Sequence, residues 1–540
     1  MGAIEGPVPP AVREAARRWI ADDPDPDSRA ELTALLTSES GELAARMGEP
    51  ARFGTAGIRA PLRAGPAGMN VAVVRRVTAG LADWLLEQGN GGATVVVGRD
   101  ARHGSGRLAA ATASVLAGAG FQVVALAEPL PTPVLCYAVR ALGAAAGVQI
   151  TASHNPPSDN GYKVYLGGAD AGAPLVEPAD AHIEAAIADA PPAEHIRTVD
   201  VAGTDPAGLV ADYVRRVARL PRGGARGLRI ALTPLHGVGG AVAVAALHAA
   251  GFQDVHLVPS QAEPDPDFPT VAFPNPEEPG ATDELLRFAA SVRADLAVAL
   301  DPDADRCALG VPDPEAPGGW RLLSGNETGV LLGDHVLATM DDTARAAAPD
   351  GPLVASTLAS SSQLRGVAAA RGARFAETAT GFKWIVRAGP GFVYGYEEAL
   401  GYCVDPDTVR DKDGIAAAVL AADLAATRRA AGSSLPAALD ELAVAHGLHL
   451  TDAVTVRMDP ARRAETVRRL AERLGDEGGA TVLRRERARA VIRPSGTEPK
   501  LKAYLEVVEP VADPGSLDGA RARATRRLAA LRAEVTALIT

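Results

Sequence analysis

The chain has 540 residues, 47% hydrophobic and 22% charged, which is typical of a globular protein with several domains and too long for one compact core. Its formal net charge of -12 argues against a general nucleic-acid or membrane-surface binder, because both need a basic face. The three cysteines lie far apart and form no CxxC pair, so neither a disulfide framework nor a structural zinc site is expected.

Short runs of branched apolar residues alternate with helical stretches along most of the chain. Residues 1–48 show no secretory pattern and are predicted to form a helical extension. Strand-like runs that end in Gly, Pro or polar turns follow at 94–100, 148–157, 229–240, 296–306 and 353–362. Helical stretches such as 107–120 and 242–251 lie between them. This alternation predicts an α/β fold with mainly parallel sheets, in which chemistry collects at the carboxyl ends of strands.

Pro/Gly-rich or polar breaks near residues 200, 320 and 432 predict domain boundaries. The predicted units are 1–48, 49–200, 201–320, 321–432 and 433–540. The last unit has several strand-like segments and ends in an Arg-rich helical pattern at 515–539, which favours an α+β domain. The longest apolar stretch, 414–426, is too short to span a bilayer, so we expect a cytoplasmic protein.

The segment TASHNPPSDNGYKVY, residues 151–165, follows a predicted strand. Ser153 lies where that strand ends, with His154 beside it and Lys163 ten residues further on. A serine nucleophile needs an exposed hydroxyl and neighbours that manage its charge. The competing interpretation is that Ser153 and Asn155 cap a turn.

The segment LAVALDPDADR, residues 296–306, places three carboxylates at alternate positions after a buried-looking strand. Asp301, Asp303 and Asp305 can converge on one point and form an oxygen site for a hard cation such as Mg²⁺. Arg306 could hold a phosphate beside the metal. An EF-hand is excluded because its glycine and glutamate positions hold Arg306 and Pro312. A solvated acidic turn is the alternative.

The segment RPSGTEPKLKAY, residues 493–504, offers a guanidinium group, two hydroxyls and backbone N–H groups in one tight turn. This combination suits a phosphate dianion, and nearby lysines add positive charge. The residues concerned are Arg493, Ser495, Gly496, Thr497, Lys500 and Lys502. A polar hairpin turn is the alternative interpretation.

The segment GYEEALGY, residues 395–402, displays Glu397 and Glu398 between glycines after a strand. Such carboxylates can accept hydrogen bonds from neighbouring sugar hydroxyls. The alternative is a helix start, where acidic side chains are favoured by the helix dipole.

These four segments together resemble the α-D-phosphohexomutase family, which includes phosphoglucomutase and phosphomannomutase. TASHNP resembles its phosphoserine loop, DPDADR its metal loop, GYEEALG its sugar-binding loop and RPSGTEP its phosphate-binding loop, in the same order. FGTAGIR (53–59) resembles the start of its first domain, and TGFKW (380–384) and DKDG (411–414) resemble a branch that also holds phosphopentomutases. The resemblance implies three similar mixed α/β domains plus a smaller C-terminal α+β domain around a central cleft.

The resemblance also implies a mutase that works through phosphorylated Ser153 and a sugar 1,6-bisphosphate. It implies Mg²⁺ bound by Ser153, Asp301, Asp303 and Asp305. Around the reacting centre it places Arg59, His154, Lys163 and Arg306, with His154 or Lys163 transferring the proton. The implied substrate contacts are Thr380, Gly381, Glu397, Glu398, Arg493, Ser495, Gly496, Thr497 and Lys502.

The sugar itself stays open, because the family often has serine two positions after the loop glutamate, where this chain has Ala399. We predict a sugar 1-phosphate/6-phosphate mutase acting on glucose and possibly on mannose, with a phosphopentomutase as the alternative. A haloacid-dehalogenase phosphatase, with Asp301 as nucleophile, leaves the Ser153 and Arg493 segments unexplained. A non-catalytic sugar-phosphate-binding protein would show decayed motifs. We expect a small-molecule sugar phosphate as partner, no nucleic acid or membrane, and a monomer or dimer.

Overall fold

The computed structural model describes residues 8–38, 40–346, 348, 350–477, 479–494 and 500–540. Three N-terminal helices pack against the first domain: α1 (Pro10–Asp22), α2 (Pro26–Thr37) and α3 (Glu42–Arg46). Asp25 caps α2 by accepting a hydrogen bond from the backbone N–H of Asp27. Within these ranges, no helix combines the length and the apolar character that a membrane crossing needs.

Domain 1 is built on a six-stranded sheet of order β1-β5-β4-β2-β3, with β6 paired to β5. Branched residues fill β2, and its four central residues are buried, as a strand covered on both faces requires. The elements are β1 (Ile58–Pro61), α4 (Val71–Glu87), β2 (Thr94–Arg99), α5 (Ser105–Gly118), β3 (Gln122–Ala125), α6 (Thr132–Ala141), β4 (Ala146–Ile150), β5 (Asp159–Leu166), β6 (Ala173–Pro174) and α7 (Ala179–Asp189).

Domain 2 has a five-stranded sheet of order β11-β10-β9-β7-β8. Its central strand β9 is buried along its whole length, which explains the unbroken apolar run before the aspartates. The elements are α8 (Leu209–Val217), β7 (Arg229–Thr233), α9 (Gly240–Ala249), β8 (Asp254–Leu257), α10 (Asp283–Val292), β9 (Leu296–Leu300), β10 (Cys307–Pro312) and β11 (Trp320–Leu322).

Domain 3 has a four-stranded sheet of order β13-β12-β14-β15. The apolar stretch 414–426 forms most of its buried helix α15, in which Asp423 pairs with His335 at 3.0 Å. The elements are α11 (Gly325–Thr339), α12 (Asp342–Ala346), β12 (Leu353–Thr357), α13 (Gln363–Ala370), β13 (Arg374–Thr378), α14 (Phe382–Ile385), β14 (Phe392–Glu397), β15 (Gly401–Cys403) and α15 (Gly414–Ala430).

Domain 4 is smaller and consists of a fully antiparallel sheet of order β16-β19-β18-β17 with helices packed on it. The Arg-rich pattern predicted at 515–539 is the long helix α18, which packs on β16 and β19. The elements are α16 (Leu435–His446), which joins domain 3 to domain 4, and β16 (Leu448–Arg457), α17 (Pro460–Leu474), β17 (Thr481–Arg485), β18 (Ala488–Pro494), β19 (Lys500–Glu509) and α18 (Leu517–Ile539).

The first three sheets are mixed, which corrects the prediction of mainly parallel sheets. In each, a parallel strand is followed by an antiparallel strand that returns without a helix: β4 to β5, β9 to β10 and β14 to β15. A returning strand needs only a short loop, so the alternation of strand and helix patterns does not reveal it. The three return loops hold residues 151–158, 301–306 and 398–400. In domain 4, the consecutive strands β18 and β19 also pair antiparallel, although that sheet has no parallel pair among the described residues.

Candidate active site

Each of the three return loops contains one non-glycine residue in the left-handed region of backbone conformation. These residues are Ser153, Ala304 and Leu400, with φ values of 54°, 56° and 61°. Such a conformation costs on the order of 1–3 kcal/mol and persists only where surrounding contacts fix it. The loops that hold the predicted phosphoserine, metal and sugar residues are therefore shaped by their surroundings.

Arg102, a buried residue of domain 1, supplies much of that constraint for the Ser153 loop. Its guanidinium donates to the carbonyl oxygens of Ser153 (2.7 Å), Asn155 (2.6 Å), Pro156 (2.8 Å) and Asp159 (3.2 Å). The rigid fork of arginine donors suits this task better than a single ammonium group would. The loop is thus held from behind by one side chain.

The Ser153 side chain points toward the metal loop of domain 2. Its hydroxyl donates to Asp301 Oδ2 at 2.9 Å, and His154 Nδ1 lies 3.2 Å from Ser153 Oγ. Burial and the positive charges of Arg306 and Arg59 hold the pKa of His154 well below its usual range. An uncharged imidazole and a carboxylate therefore flank the serine.

The three aspartates form a compact, buried group. Asp301, Asp303 and Asp305 are at most 1% exposed, and one carboxylate oxygen from each lies within 4.8 Å of the others. Burial and the two neighbouring carboxylates raise the pKa of Asp301 well above its ordinary value. Burial acts the same way on Asp305, but Lys163 and Lys412 outweigh it and lower its pKa. The group concentrates negative charge that a cation would relieve.

In Asp303 and Asp305, the two oxygens of the carboxylate differ in their hydrogen-bond partners. Lys163 Nζ donates to Asp303 Oδ2 (2.6 Å) and Asp305 Oδ2 (3.0 Å), and Lys412 Nζ lies 3.4 Å from Asp305 Oδ2. Within the described part of the chain, the buried Oδ1 atoms of Asp303 and Asp305 have no hydrogen-bond partner. Buried oxygens normally find a partner, so these two fit a bound hard cation.

Arg306 joins the metal loop to the sugar loop of domain 3. Its guanidinium donates to the carbonyl oxygen of Ala399 (2.7 Å) and lies 3.5 Å from Glu397 Oε1. Arg59, on the other side, donates to the side chain of Asn155 at 3.3 Å. The predicted residues of domains 1–3 thus meet at one place.

The two glutamates of the sugar loop have different surroundings. Glu397 faces Arg306, and burial raises its pKa. Glu398 accepts hydrogen bonds from the hydroxyls of Thr357 and Ser360, both at 3.0 Å, at the end of β12. Of these two glutamates, Glu397 is therefore the one whose side chain contacts a metal-loop residue in the described part of the chain.

Thr380 and Gly381 lie immediately before α14, and Gly381 has a φ of 112°, a conformation that glycine adopts readily. The ring of Phe382, the next residue, lies 5.1 Å from Lys412 Nζ. Lys383 donates to Thr55 in domain 1 at 2.8 Å. This loop therefore lies beside the site and bridges two domains.

Domain 4 brings two positive side chains toward the same region. Arg493 and Lys502 are opposite each other on β18 and β19, and Arg493 donates to the hydroxyl of Tyr504 at 3.2 Å. Burial lowers the pKa of Arg493, but Tyr504 and the carboxylate of Glu398 outweigh it and raise that pKa above its ordinary value. The predicted phosphate-loop residues Ser495, Gly496 and Thr497 lie outside the described residues.

Sequence reasoning missed three residues that touch these loops: Arg102, Thr132 and Lys412. Lys412 had a usable signal, since it stands between Asp411 and Asp413 just before an apolar helix. Arg102 follows a predicted strand in VGRDARHG, but its carbonyl partners lie more than 50 residues away. Thr132 donates its hydroxyl to Asp303 Oδ2 at 2.5 Å, a contact between two domains that no local pattern encodes.

A serine hydroxyl beside buried carboxyl groups and several fixed cations is the kind of arrangement that phosphoryl transfer requires, because that reaction depends on positioning and charge compensation. The fold and the site thus define an intramolecular phosphotransferase. The chain belongs to the phosphoglucomutase/phosphomannomutase family: the family's α/β/α domains I, II and III match residues 50–193, 211–315 and 325–443, and its C-terminal domain matches 453–513.

Relatives with different names share this similarity. The chain is 38% identical over 464 residues to a Haemophilus influenzae protein named "Probable phosphomannomutase", covering 81% of this chain and 93% of the relative. It is 32% identical over 548 residues to the human phosphopentomutase, covering 88% of this chain and 87% of that protein. A crystal structure of a phosphoglucomutase/phosphomannomutase family protein from Burkholderia thailandensis has the same fold, with a TM-score of 0.66 and 20% identity. The match covers 87% of this chain and 95% of that protein.

Proposed function

We propose that this enzyme interconverts sugar 1-phosphate and sugar 6-phosphate through a phosphorylated Ser153, with glucose phosphate as the best substrate and mannose phosphate as a slower one. The observation that carries the proposal is the position of the Ser153 hydroxyl, 2.9 Å from Asp301 and held by a constrained loop. A nucleophile fixed in this way can hand a phosphoryl group to a bound hydroxyl without loop rearrangement.

In the proposed reaction, phosphorylated Ser153 gives its phosphoryl group to the free hydroxyl of a bound sugar monophosphate. The bond between Ser153 Oγ and phosphorus breaks as the bond from the sugar oxygen forms. The other phosphoryl group of the resulting sugar 1,6-bisphosphate is then transferred to Ser153: its bond to the sugar oxygen breaks as a bond to Ser153 Oγ forms, the freed sugar oxygen takes up a proton, and the isomeric monophosphate leaves. His154 is our candidate for accepting the proton of the attacking hydroxyl, because Lys163 is engaged by two carboxylates.

Asp301, Asp303, Asp305 and an oxygen of phosphorylated Ser153 would hold the metal ion, for which we propose Mg²⁺. The two buried carboxylate oxygens that have no hydrogen-bond partner in the described structure support this fit. When bound, Mg²⁺ supplies positive charge that compensates the oxygens of the transferring phosphoryl group. Arg59, Arg306 and Lys163 add fixed positive charge around the same group.

The phosphate that is not reacting would be held by domain 4, through Arg493, Lys502 and the loop residues Ser495, Gly496 and Thr497. Arg493 Nε is buried and has no hydrogen-bond partner among the described residues, so it can serve an incoming phosphate. The sugar ring would contact Glu397, with Thr380 and Gly381 beside it. Glu398 is a weaker candidate, because two hydroxyls of domain 3 already donate to it.

A pentose phosphate is the second candidate substrate. Relatives of comparable coverage are named phosphopentomutase, and a loop carboxylate can bind hydroxyl groups that hexoses and pentoses both possess. The test is kcat/KM for glucose, mannose, ribose and deoxyribose 1-phosphates, with sugar bisphosphate present as activator. A preference of about tenfold or more for ribose, roughly 1.4 kcal/mol, would make the enzyme a phosphopentomutase.

The phosphoserine is tested separately by treating the protein with glucose 1,6-bisphosphate and mapping phosphopeptides. Phosphate should appear on Ser153, and Ser153→Ala should abolish both the label and turnover. Ser158→Ala, an exposed serine in the same loop, is the matched control and should keep both. Full turnover by Ser153→Ala would refute the mechanism.

A further inference from the structure

The carboxylate of Asp303 has two oxygens in very different surroundings. Oδ2 accepts two short hydrogen bonds, from Thr132 Oγ1 (2.5 Å) and Lys163 Nζ (2.6 Å). Oδ1 is buried and has no hydrogen-bond partner in the described part of the chain. When one oxygen of a carboxylate is held, the other points in a fixed direction. A buried oxygen normally has a partner, so Asp303 Oδ1 is free to bind a group that is not part of the described chain.

Thr132 comes from domain 1, whereas Asp303 belongs to the metal loop of domain 2. Thr132 is the first residue of α6 and is fully buried. Its backbone N–H, which cannot bond within the helix, donates to the carbonyl oxygen of Asp303 at 2.9 Å. Its hydroxyl donates to the side chain of the same residue. One threonine thus fixes both the backbone and the carboxylate of Asp303.

An ordinary structural role does not explain this choice of partner. An N-cap side chain usually accepts a hydrogen bond from a backbone N–H of its own helix, but the N-cap of α6 is Pro131, and Thr132 is the first helical residue. No side-chain cap is formed at the start of α6, and the Thr132 hydroxyl goes to the carboxylate of another domain. The start of a helix also carries partial positive charge, which favours a carboxylate placed there.

We propose that Thr132 is a positioning residue for the metal ion: it occupies Asp303 Oδ2 so that Oδ1 alone is presented to the cation. Groups that hydrogen-bond a metal-binding carboxylate commonly change metal affinity by 10–100-fold when removed. Because Thr132 and Asp303 lie in different domains, the contact also makes metal affinity depend on how domain 1 meets domain 2. The proposal rests on the metal site of the proposed function.

The experiment is a titration with Mn²⁺ alone, followed by electron paramagnetic resonance, on protein without sugar phosphate. Thr132→Val keeps the shape of the side chain and removes the hydroxyl, while Thr132→Ser keeps the hydroxyl. Thr112→Val is the matched control, since Thr112 is a fully buried threonine of domain 1 whose hydroxyl donates to Leu108 within its own helix. Intact mass and phosphopeptide mapping confirm that all preparations carry the same phosphorylation at Ser153.

Thr132→Val should raise the Mn²⁺ dissociation constant by about tenfold, while Thr132→Ser and Thr112→Val stay within about twofold of the unchanged protein. Unfolding temperatures measured without metal separate this effect from lost stability, and Thr132→Ala replaces the valine variant if the latter does not fold. Equal Mn²⁺ affinity in the hydroxyl-free variant and the unchanged protein overturns the role of Thr132 alone. Failure of the unchanged protein to bind Mn²⁺ overturns the metal site and, with it, this proposal.

Discussion

Domains 1–3 and domain 4 are held in the molecule in different ways. The largest buried apolar cluster runs from domain 1 through domain 2 into domain 3, with Cys136, Leu232 and Tyr394 among its members. Domain 4 has a separate cluster, built around residues such as Leu505 and Val535. Among the described residues, a small apolar patch links it to domain 3.

The principal polar link between domains 3 and 4 is the buried carboxylate of Glu506. It accepts hydrogen bonds from Ser361 Oγ (2.7 Å) and the backbone N–H of Ser362 (2.8 Å) in domain 3. Within domain 4 it is held by Arg489 (2.7 Å), and His449 Nδ1 lies 2.9 Å away.

Polar contacts can be exchanged for water, whereas a shared apolar core cannot be opened without exposing it. We therefore expect the Ser153, metal and sugar loops to be fixed relative to one another, and domain 4 to close on ligand and open again. Substitutions in the first region should lower kcat, and substitutions at the Glu506 contact should mainly raise KM.

The largest effect is expected from Asp303→Asn. Losing one of three buried carboxylates should weaken metal binding and remove charge compensation, so we expect kcat to fall by roughly a thousandfold or more. Steady-state kinetics with added Mg²⁺ measure the loss of kcat, and the unfolding temperature shows whether the variant stays folded. Asp313→Asn, beyond the far end of β10, is the control and should keep full activity. Unchanged turnover in excess chelator would contradict the metal assignment.

Arg102→Lys should have the next largest effect. A lysine keeps the charge but cannot hold four carbonyl oxygens, so the left-handed Ser153 should lose its fixed position. Misplacing a nucleophile by about 1 Å can cost roughly a hundredfold, and we expect that loss in kcat with a smaller change in KM. Arg99→Lys, three residues earlier at the end of β2, is the control for a loss that any Arg→Lys change in this region would cause. An Arg102→Lys enzyme with the original kcat would show that the loop holds itself.

Glu397 and Glu398 provide a finer comparison within the sugar loop. Glu397→Ala should remove charge-assisted hydrogen bonds to the sugar and cost about 1.5–3 kcal/mol in kcat/KM for every sugar the loop binds. Glu398→Gln should change kcat/KM by no more than about threefold, because an amide oxygen can still accept from Thr357 and Ser360. Equal losses in the two variants would place both glutamates on the sugar.

Much of this architecture could be predicted from the sequence. Apolar runs such as 296–300 become buried strands, and Ser153 and Asp301 each follow such a strand at the carboxyl edge of its own sheet, where α/β proteins place their chemistry. The family membership and the three-plus-one fold are confirmed. The antiparallel return strands were missed, because a short loop carries no periodic signal.

Contacts between domains were also beyond sequence reasoning. Arg102 and Thr132 act on residues of distant segments, and nothing in their own neighbourhoods specifies those partners. The different surroundings of Glu397 and Glu398 depend on β12, which precedes them by about 40 residues. The domain boundaries near 200, 320 and 432, and the roles of the individual site residues, stay predictions.

The smallest expected effect on catalysis concerns Glu506, whose charge also makes the stability of the protein depend on pH. Burial would raise the pKa of Glu506, but the hydrogen bond with His449 and the charge of Arg489 outweigh it and lower that pKa to about 2. A carboxyl group with a depressed pKa stabilises the folded protein at neutral pH. That contribution is complete above the unfolded pKa of about 4.3 and is lost as the pH falls toward 2. It is on the order of 3 kcal/mol, and it concerns the contact between domains 3 and 4.

Glu506→Gln should therefore raise KM by about threefold with little change in kcat, since an amide keeps part of the hydrogen bonding but loses the charge. As the unchanged protein is taken from pH 5 to pH 3, the amides of β19 should lose protection from hydrogen exchange before those of β9. In Glu506→Gln, β19 should already have lost protection at pH 5. Glu509→Gln is the matched control, because this buried carboxylate on the same strand pairs with Arg523 and Arg527 inside domain 4. If β19 and β9 lose protection together in every variant, domain 4 is not separately held, and the contrast between the two regions fails.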